Sequence, residues 1–203
     1  MSSPEPAAGR PALHPLLRER WSPRAFADRP VDQETLASLL EAARWAPSSY
    51  NEQPWSFIVA FRGEPEFERV LGCLMPGNQA WARSAAVLLL ALARTTSARD
   101  GKPNRHAFYD LGQAAAHLTF QASSLGLAVH QMAGIDVDRI RAEFHLPEGI
   151  EPATAIAIGY PGDPESLPER LREREKQPRQ RKTLAEMVYA EPAHEPDHPD
   201  PAP

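Results

Sequence analysis

The sequence predicts an α+β fold in which helices flank a mixed central β-sheet. A chain of 203 residues that is 42% hydrophobic and 24% charged is long enough and apolar enough to bury a core. Segments with helical periodicity alternate irregularly with short apolar segments of β-strand character. The 22 prolines are enriched at both ends of the chain. We therefore expect disordered segments at residues 1–11 and 191–203 and one folded domain at residues 12–190.

Helices are predicted where apolar residues recur every three or four positions. The clearest spans residues 104–125, whose apolar side chains form a single stripe and which Gly126 ends. A second begins after Asp32, a candidate N-cap, and stops before Pro47. Shorter helices are expected at residues 12–20, 64–71 and 136–144.

Four apolar segments predict the strands of the sheet, at residues 56–61, 85–93, 127–131 and 153–160. The segment 85–93 is apolar throughout, as in a strand that is buried on both faces, although a buried helix would show the same pattern. It is far shorter than the roughly 20 residues that a membrane-spanning helix needs. The N-terminal segment is polar and proline-rich, so we expect no secretory signal and no membrane association.

Composition and missing motifs exclude several classes of function. A net charge of −5 argues against nucleic-acid binding, and a single cysteine, Cys73, fits a reduced cytoplasmic protein without a cysteine-based zinc site. An H-E-x-x-H pattern at residues 194–198 contains Pro196, so the helix that a metal site requires cannot form. Dinucleotide, P-loop and nucleophile-elbow motifs are absent from the sequence. Cys73 and the scattered histidines at positions 14, 106, 117, 130 and 145 are interpreted as packing or surface residues.

Three polar clusters remain as candidates for ligand binding. Arg20, Ser22 and Arg24 alternate along an extended segment and could hold a phosphate. The segment 46–55 offers hydroxyl and amide groups beside a tryptophan, and the segment 179–182 is basic. Each cluster alone also fits a solvated loop or a turn, and the basic charge of the last is balanced by the nearby Glu173, Glu175 and Glu186.

Together these clusters give the chain a family resemblance. It resembles the nitroreductase family of FMN-dependent oxidoreductases in six motifs that occur in the same order. They are R-x-S-x-R-x-F at 20–26, A-P-S-x-x-N-x-Q-P-W at 46–55, G-N-Q at 77–79, L-G-L at 125–127, M-x-G-[FI]-D at 132–136 and R-x-R at 179–181.

The resemblance implies an intertwined homodimer that binds FMN, takes a hydride from NADH or NADPH and reduces a nitroaromatic or quinone by a ping-pong mechanism. Flavin N5 would carry the chemistry, so no catalytic side chain and no metal is expected. The implied flavin contacts are Arg20, Ser22, Arg24, Asn78, Ala133, Gly134, Arg179 and Arg181, with Pro47, Ser48, Ser49, Asn51 and Gln53 from the partner subunit.

Trp81 departs from the family pattern, because some relatives carry a basic residue there. Arg24 then becomes the candidate that balances the negative N1–O2 edge of reduced flavin. Alternative functions are a flavin-binding module without turnover, a specialised relative such as a reductive dehalogenase, and an interaction protein that retains the fold.

Overall fold

The computed structural model describes residues 12–189. The expectations for residues 1–11 and 191–203, and for the H-E-x-x-H pattern at 194–198, lie outside the described residues. No helix within residues 12–189 combines the length and the apolar character that a bilayer crossing requires.

A four-stranded sheet forms the centre of the described chain. Its strands are β1 (Trp55–Phe61), β2 (Val87–Arg94), β3 (Ala128–Met132) and β4 (Ile150–Gly159), in the order β1-β2-β4-β3. The α+β fold class is confirmed, and β2 is the predicted buried strand rather than a buried helix. A mixed sheet was expected, whereas all three pairings between described strands are antiparallel. Apolar patterns identify strands but do not define their direction, which depends on the connections between them.

Helices cover both faces of the sheet. Within residues 12–189 they are α1 (Pro15–Glu19), α2 (Gln33–Arg44), α3 (Pro65–Gly72), α4 (Pro76–Ala82), α5 (Ala107–Ser124), α6 (Val137–Glu143) and α7 (Glu169–Glu175). Asp32 caps α2 as predicted, because its carboxylate accepts a hydrogen bond from the Thr35 N–H at 2.6 Å. Helices α4 and α7 were not predicted. Helix α4 begins with Pro76 and Gly77, a pair typical of turns, and α7 contains one apolar residue, Leu171, which cannot form a stripe.

The alternation of side chains along β2 divides the core into two parts. Leu88 and Leu90 belong to one apolar cluster, which also contains Trp81 of α4, while Val87 and Leu89 belong to the other. The second cluster includes the buried faces of α2 and α5, which pack against each other. The result is three layers, with a sheet that is covered on both sides.

Two connections at opposite edges of this sheet carry most of the predicted ligand contacts. Residues 46–54, here called the amide loop, lead into edge strand β1, and residues 133–136, here called the glycine turn, follow edge strand β3. Strands β2 and β4 lie between them, so the two edges are about 14 Å apart at the usual strand spacing.

Candidate functional site

The predicted basic segment at residues 20–26 is fixed at the end of β4. The Ala27 N–H donates to the Tyr160 carbonyl at 2.9 Å, and the Gly162 N–H donates to the Ala25 carbonyl at 2.9 Å. A Cβ atom on Gly162 would lie 2.5 Å from the Phe26 carbonyl carbon, so this close approach requires glycine. The carboxyl-terminal end of β4 therefore determines where the arginines of this segment stand.

Four of the predicted arginines meet in one cleft, here called the arginine cleft. Its volume is about 230 Å³, and Arg20, Ser22 and Arg24 line it together with Arg179 and Arg181. The Arg20 guanidinium donates to the Ser22 hydroxyl at 3.0 Å, and Arg179 donates to the Arg20 carbonyl at 2.8 Å. The structure thus joins the first and third sequence clusters, which are about 150 residues apart in the chain.

The electrostatics of the arginine cleft favour an anionic ligand. Burial lowers the pKa of Arg20, and the positive charges of Arg181 and Arg179 lower it further. These guanidinium groups therefore repel one another in the ligand-free protein. A phosphate would relieve this repulsion and could accept paired hydrogen bonds from arginine.

Among residues 12–189, one carboxylate lines the cleft, that of Glu175. Its Oε1 accepts hydrogen bonds from the backbone N–H of Arg24 at 2.6 Å and of Ala25 at 3.4 Å, and its Oε2 lies 3.4 Å from Nη1 of Arg24. The Glu175 side chain is only 1% exposed. The sequence indicated Glu175 only as one of three acidic residues that balance the basic segment, whereas the structure buries this side chain against residues 24 and 25.

His130 and Trp81 lie behind the basic segment. His130 Nδ1 is 2.9 Å from the Pro23 carbonyl, and the imidazole centroid lies 4.5 Å from that of the Trp81 ring, which also stacks on Phe26. Burial lowers the pKa of His130, an effect that the hydrogen bond to Pro23 opposes. Trp81 is 2% exposed. It is thus a core residue and does not present its ring to the arginine cleft.

Asn78 and the glycine turn form the next part of the site. Asn78 Nδ2 donates to the Gly134 carbonyl at 3.0 Å, and the same carbonyl accepts from the Met75 N–H at 2.9 Å. A Cβ atom on Gly134 would lie 2.5 Å from Asn78 Nδ2, so the side chain at this position must be absent for the contact to form. Outside the regular helices and strands of residues 12–189, neither Ala133 nor Gly134 donates its N–H to another backbone carbonyl. Two donors of the turn are therefore open to a ligand.

Helix α4 and strand β3 connect these parts. Asn78 and Trp81 are three residues apart on α4, and His130 lies on β3 just before the glycine turn. Since Trp81 contacts His130 and His130 contacts Pro23, a chain of interior contacts connects α4 and β3, which carry Asn78 and the glycine turn, to the basic segment.

The amide loop has an unusual backbone. Tyr50, Asn51 and Gln53 have φ values of 52°, 56° and 44°, in the left-handed region that non-glycine residues seldom adopt. The Ser48 hydroxyl accepts from the Gln53 N–H at 3.0 Å, and the Gln53 amide donates to the Asn51 carbonyl at 3.2 Å. Hydrogen bonds between neighbouring residues of the loop thus stabilise backbone torsion angles that non-glycine residues seldom adopt.

Two carboxylates that were not predicted hold the amide loop in place. Asp110 of α5 is 2% exposed and accepts from the Ser49 N–H at 3.0 Å. The Glu52 carboxylate accepts from the Ser97 hydroxyl at 2.6 Å and from the Ala98 N–H at 2.9 Å. The polar residues of the loop indicated a site from sequence alone. The two carboxylates could not be recognised in this way, because their hydrogen bonds join segments that are distant in the chain.

Within one chain, the amide loop stays apart from the arginine cleft. The loop precedes the first residue of β1, whereas the basic segment lies beyond the last residue of β4, and the register places these positions at opposite ends of the strands. No hydrogen bond or ion pair described for residues 12–189 joins the two. In the same part of the chain, no group of three or more His, Cys, Asp or Glu side chains could hold a metal ion.

Known proteins match the chain over most of its length. The model of the Nitroreductase family matches residues 17–160. An uncharacterised 15.4 kDa protein of Mycolicibacterium smegmatis is 36% identical over 66% of this chain and 93% of its own length. A putative NADH dehydrogenase/NAD(P)H nitroreductase of Streptomyces coelicolor is 30% identical over 81% of this chain and 90% of its own length.

Solved structures show the same fold. An oxidoreductase containing FMN superimposes with a TM-score of 0.86 at 37% identity and covers 96% of this chain and 98% of its own. A nitroreductase family protein of Clostridium difficile superimposes with a TM-score of 0.67 at 30% identity, over 87% of this chain and 96% of its own.

Proposed function

Because the chain belongs to the nitroreductase family, we propose that it is an FMN-dependent oxidoreductase that takes a hydride from NADH or NADPH. Its acceptor is an electron-poor small molecule of the nitroaromatic or quinone type. The observation that carries this proposal is the arginine cleft, in which Arg20, Ser22 and Arg24 meet Arg179 and Arg181 from the other end of the chain. The similar oxidoreductase that contains FMN and the relative named as a putative NAD(P)H nitroreductase support it.

The donor set of the cleft fits the phosphate end of FMN. A phosphate monoester carries a charge of about −1.5 to −2 near neutral pH and accepts several charged hydrogen bonds. Arg20, Ser22, Arg179 and Arg181 supply a hydroxyl and three guanidinium groups within one cleft. Each hydrogen bond to a charged group contributes about 1.5–3 kcal/mol, so this set can retain the cofactor without a covalent bond.

The neighbouring groups fit the edge of a flavin ring. Asn78 carries an amide, and the glycine turn adds the N–H groups of Ala133 and Gly134. Arg24 is the residue proposed to balance negative charge at the N1–O2 edge, because Trp81 is buried and has no charge. Within the described chain Glu175 engages Nη1 of the Arg24 guanidinium, which leaves its other N–H groups for a ligand.

The bound flavin supplies hydride transfer in two half-reactions, first from the nicotinamide and then to the acceptor. The residues of this chain bind and orient it. The N–H donors of the glycine turn and the guanidinium groups of the cleft would face the negative charge that develops on the flavin and would stabilise it electrostatically.

We propose further that the complete site is formed between two subunits. Pro47, Ser48, Ser49, Asn51 and Gln53 of the amide loop would contact the flavin that the partner subunit holds. The separation of the loop from the arginine cleft within one chain supports this arrangement.

An exposed apolar surface formed by α2 and α5 also fits a homodimer. A groove of about 700 Å³ between α2 and α5 is lined by Leu16, Trp45 and Phe120 among others. Tyr109 on α5 is 69% exposed, and Trp45 is 73% exposed. Large apolar side chains that face solvent together are typical of a surface that another subunit covers.

The first test is an absorption spectrum of the purified protein, followed by heat release and identification of the chromophore. We expect about one FMN per subunit, bleaching of its absorbance by NADH or NADPH without oxygen, and elution as a dimer. Bound FMN that neither nucleotide reduces would support the flavin-binding module instead. A colourless protein that cannot be reconstituted with FMN would refute the proposal, and elution of the FMN-loaded protein as a monomer would refute the shared site.

A further inference from the structure

The arginine cleft is assembled from two distant segments that share few contacts. Residues 20–25 supply one half, and α7 with the residues that follow it supplies the other. Glu175 makes three of the hydrogen bonds that join them, two to backbone N–H groups and one to the Arg24 guanidinium. The fourth is the bond from Arg179 to the Arg20 carbonyl.

The other contacts that hold this C-terminal half are made by residues 171–176. Leu171 packs, partly buried, against the core cluster that contains Trp81. Arg172 and Lys176 pair with the exposed Glu165, and such surface pairs contribute little to its position. Residues 176–182, which include Arg179 and Arg181, are all exposed. Glu175 is thus the buried polar contact from which these two arginines extend.

The Glu175 carboxylate is well matched to this role. A buried carboxylate is costly unless several donors surround it, and here three donors converge on its two oxygens. Two of the donors are backbone groups, so the contact fixes the path of the chain at Arg24 and Ala25 as well as one side chain.

We propose that Glu175 is a positioning residue of the anion site, which holds the C-terminal arginines against the backbone of the basic segment and thereby sets the affinity for a phosphate group. It does not touch the ligand in this role. The identification of that phosphate as the phosphate of FMN rests on the function proposed above, but the role of Glu175 in phosphate binding does not.

Two opposing effects follow from removal of its charge. A carboxylate near the cleft repels a phosphate, so neutralisation alone would strengthen binding. The amide of glutamine, however, offers one oxygen in place of two, so it cannot accept from the backbone N–H groups and from the Arg24 guanidinium together. The contact weakens, and the exposed segment with Arg179 and Arg181 must then become ordered when the ligand binds, so that two arginine side chains lose conformational freedom. Because the cleft is open to solvent, which screens the repulsion, we expect the second effect to dominate and to weaken binding about tenfold.

The test compares Glu175→Gln with Glu173→Gln, an exposed glutamate on the same helix that undergoes the same change in charge. Apoprotein is titrated with FMN and with riboflavin, which lacks the phosphate, and binding is followed by flavin fluorescence. We expect Glu175→Gln to weaken FMN about tenfold and riboflavin less than about twofold. Glu173→Gln should change neither. Unchanged or tighter FMN binding in Glu175→Gln, or an equal loss for both flavins, would overturn the proposal.

A second measurement separates this proposal from the proposed function. Inorganic phosphate should raise the thermal midpoint of the wild-type apoprotein, and this shift should be smaller by at least half in Glu175→Gln. If wild-type protein binds phosphate but not FMN, the oxidoreductase proposal fails while a shift that depends on Glu175 still supports the positioning role. A phosphate shift of equal size in wild type and variant, or no shift in either, counts against that role.

A third variant keeps the proposal testable if Glu175→Gln does not fold. Glu175→Asp keeps the charge and shortens the side chain by a single methylene group. We expect Glu175→Asp to bind FMN more weakly than the wild type, but by less than the loss of about tenfold expected when the contact is removed. Wild-type affinity in Glu175→Asp, where the carboxylate cannot span the same distances, would refute a positioning role.

Discussion

Removal of the Arg20 side chain tests the arginine cleft most directly. In Arg20→Ala the ligand loses a guanidinium that stands beside Ser22 and close to two further arginines. A charged hydrogen bond contributes about 1.5–3 kcal/mol, and we take the lower half of that range because the cleft is open to solvent. A loss of about 1.5–2 kcal/mol corresponds to about 10- to 30-fold weaker FMN binding.

The same substitution should leave the apoprotein stable. The positive charges of Arg181 and Arg179 oppose that of Arg20, so its removal relieves repulsion and offsets the lost contact with Ser22. We expect the free energy of unfolding of the apoprotein to stay within about 0.5 kcal/mol of the wild-type value.

The assay is equilibrium titration of apoprotein with FMN, combined with urea unfolding. Arg170→Ala is the matched control, because Arg170 is an exposed arginine of α7 outside the cleft. Wild-type FMN affinity in Arg20→Ala would refute the assignment of Arg20. An equal loss in Arg170→Ala would show that net charge, and not the cleft, governs binding.

Three further predictions concern stability in urea or against pH. Gly134→Ala should lose about 1 kcal/mol, because the new Cβ displaces the Asn78 amide, and the cost should largely vanish in an Asn78→Ala background. Asp110→Ala should lose about 1–3 kcal/mol by stranding the Ser49 N–H, with a smaller loss in Asp110→Asn. Burial lowers the pKa of His130 in the folded state, so the unfolded chain takes up a proton at a higher pH than the folded chain does. As the pH falls below about 6.5, the free energy of unfolding should therefore decrease by at most about 1.4 kcal/mol per pH unit. Equal pH dependence in wild type and His130→Gln would contradict this.

Elements that the sequence predicts well are those whose pattern is local. The predicted helix at residues 104–125 corresponds to α5 (Ala107–Ser124), and the apolar segment 85–93 corresponds to β2. Arg20, Ser22 and Arg24 could be proposed as ligand contacts because their alternate spacing and family motif are both local. The structure brings all three into one cleft, and their role in binding stays a prediction. The N-cap role of Asp32 likewise depends only on the next three residues.

What the sequence does not reveal depends on distant contacts. Glu175 is one acidic residue in a charged segment, and only its contact with Arg24 shows that it is buried. His130 is one scattered histidine until Trp81 and the Pro23 carbonyl are placed around it. Asp110 lies in the first turn of α5, where acidic residues are common for reasons of helix electrostatics alone.

The three left-handed residues of the amide loop set a limit on how this protein could be engineered for heat resistance. Each costs on the order of 1 kcal/mol in local strain, which glycine would not incur. Glycine at Tyr50, Asn51 or Gln53 would release that strain but would also widen the range of shapes open to the loop. Thermal stability and a defined loop conformation thus depend on the same backbone torsion angles, so a substitution that relieves the strain also makes the loop less well defined.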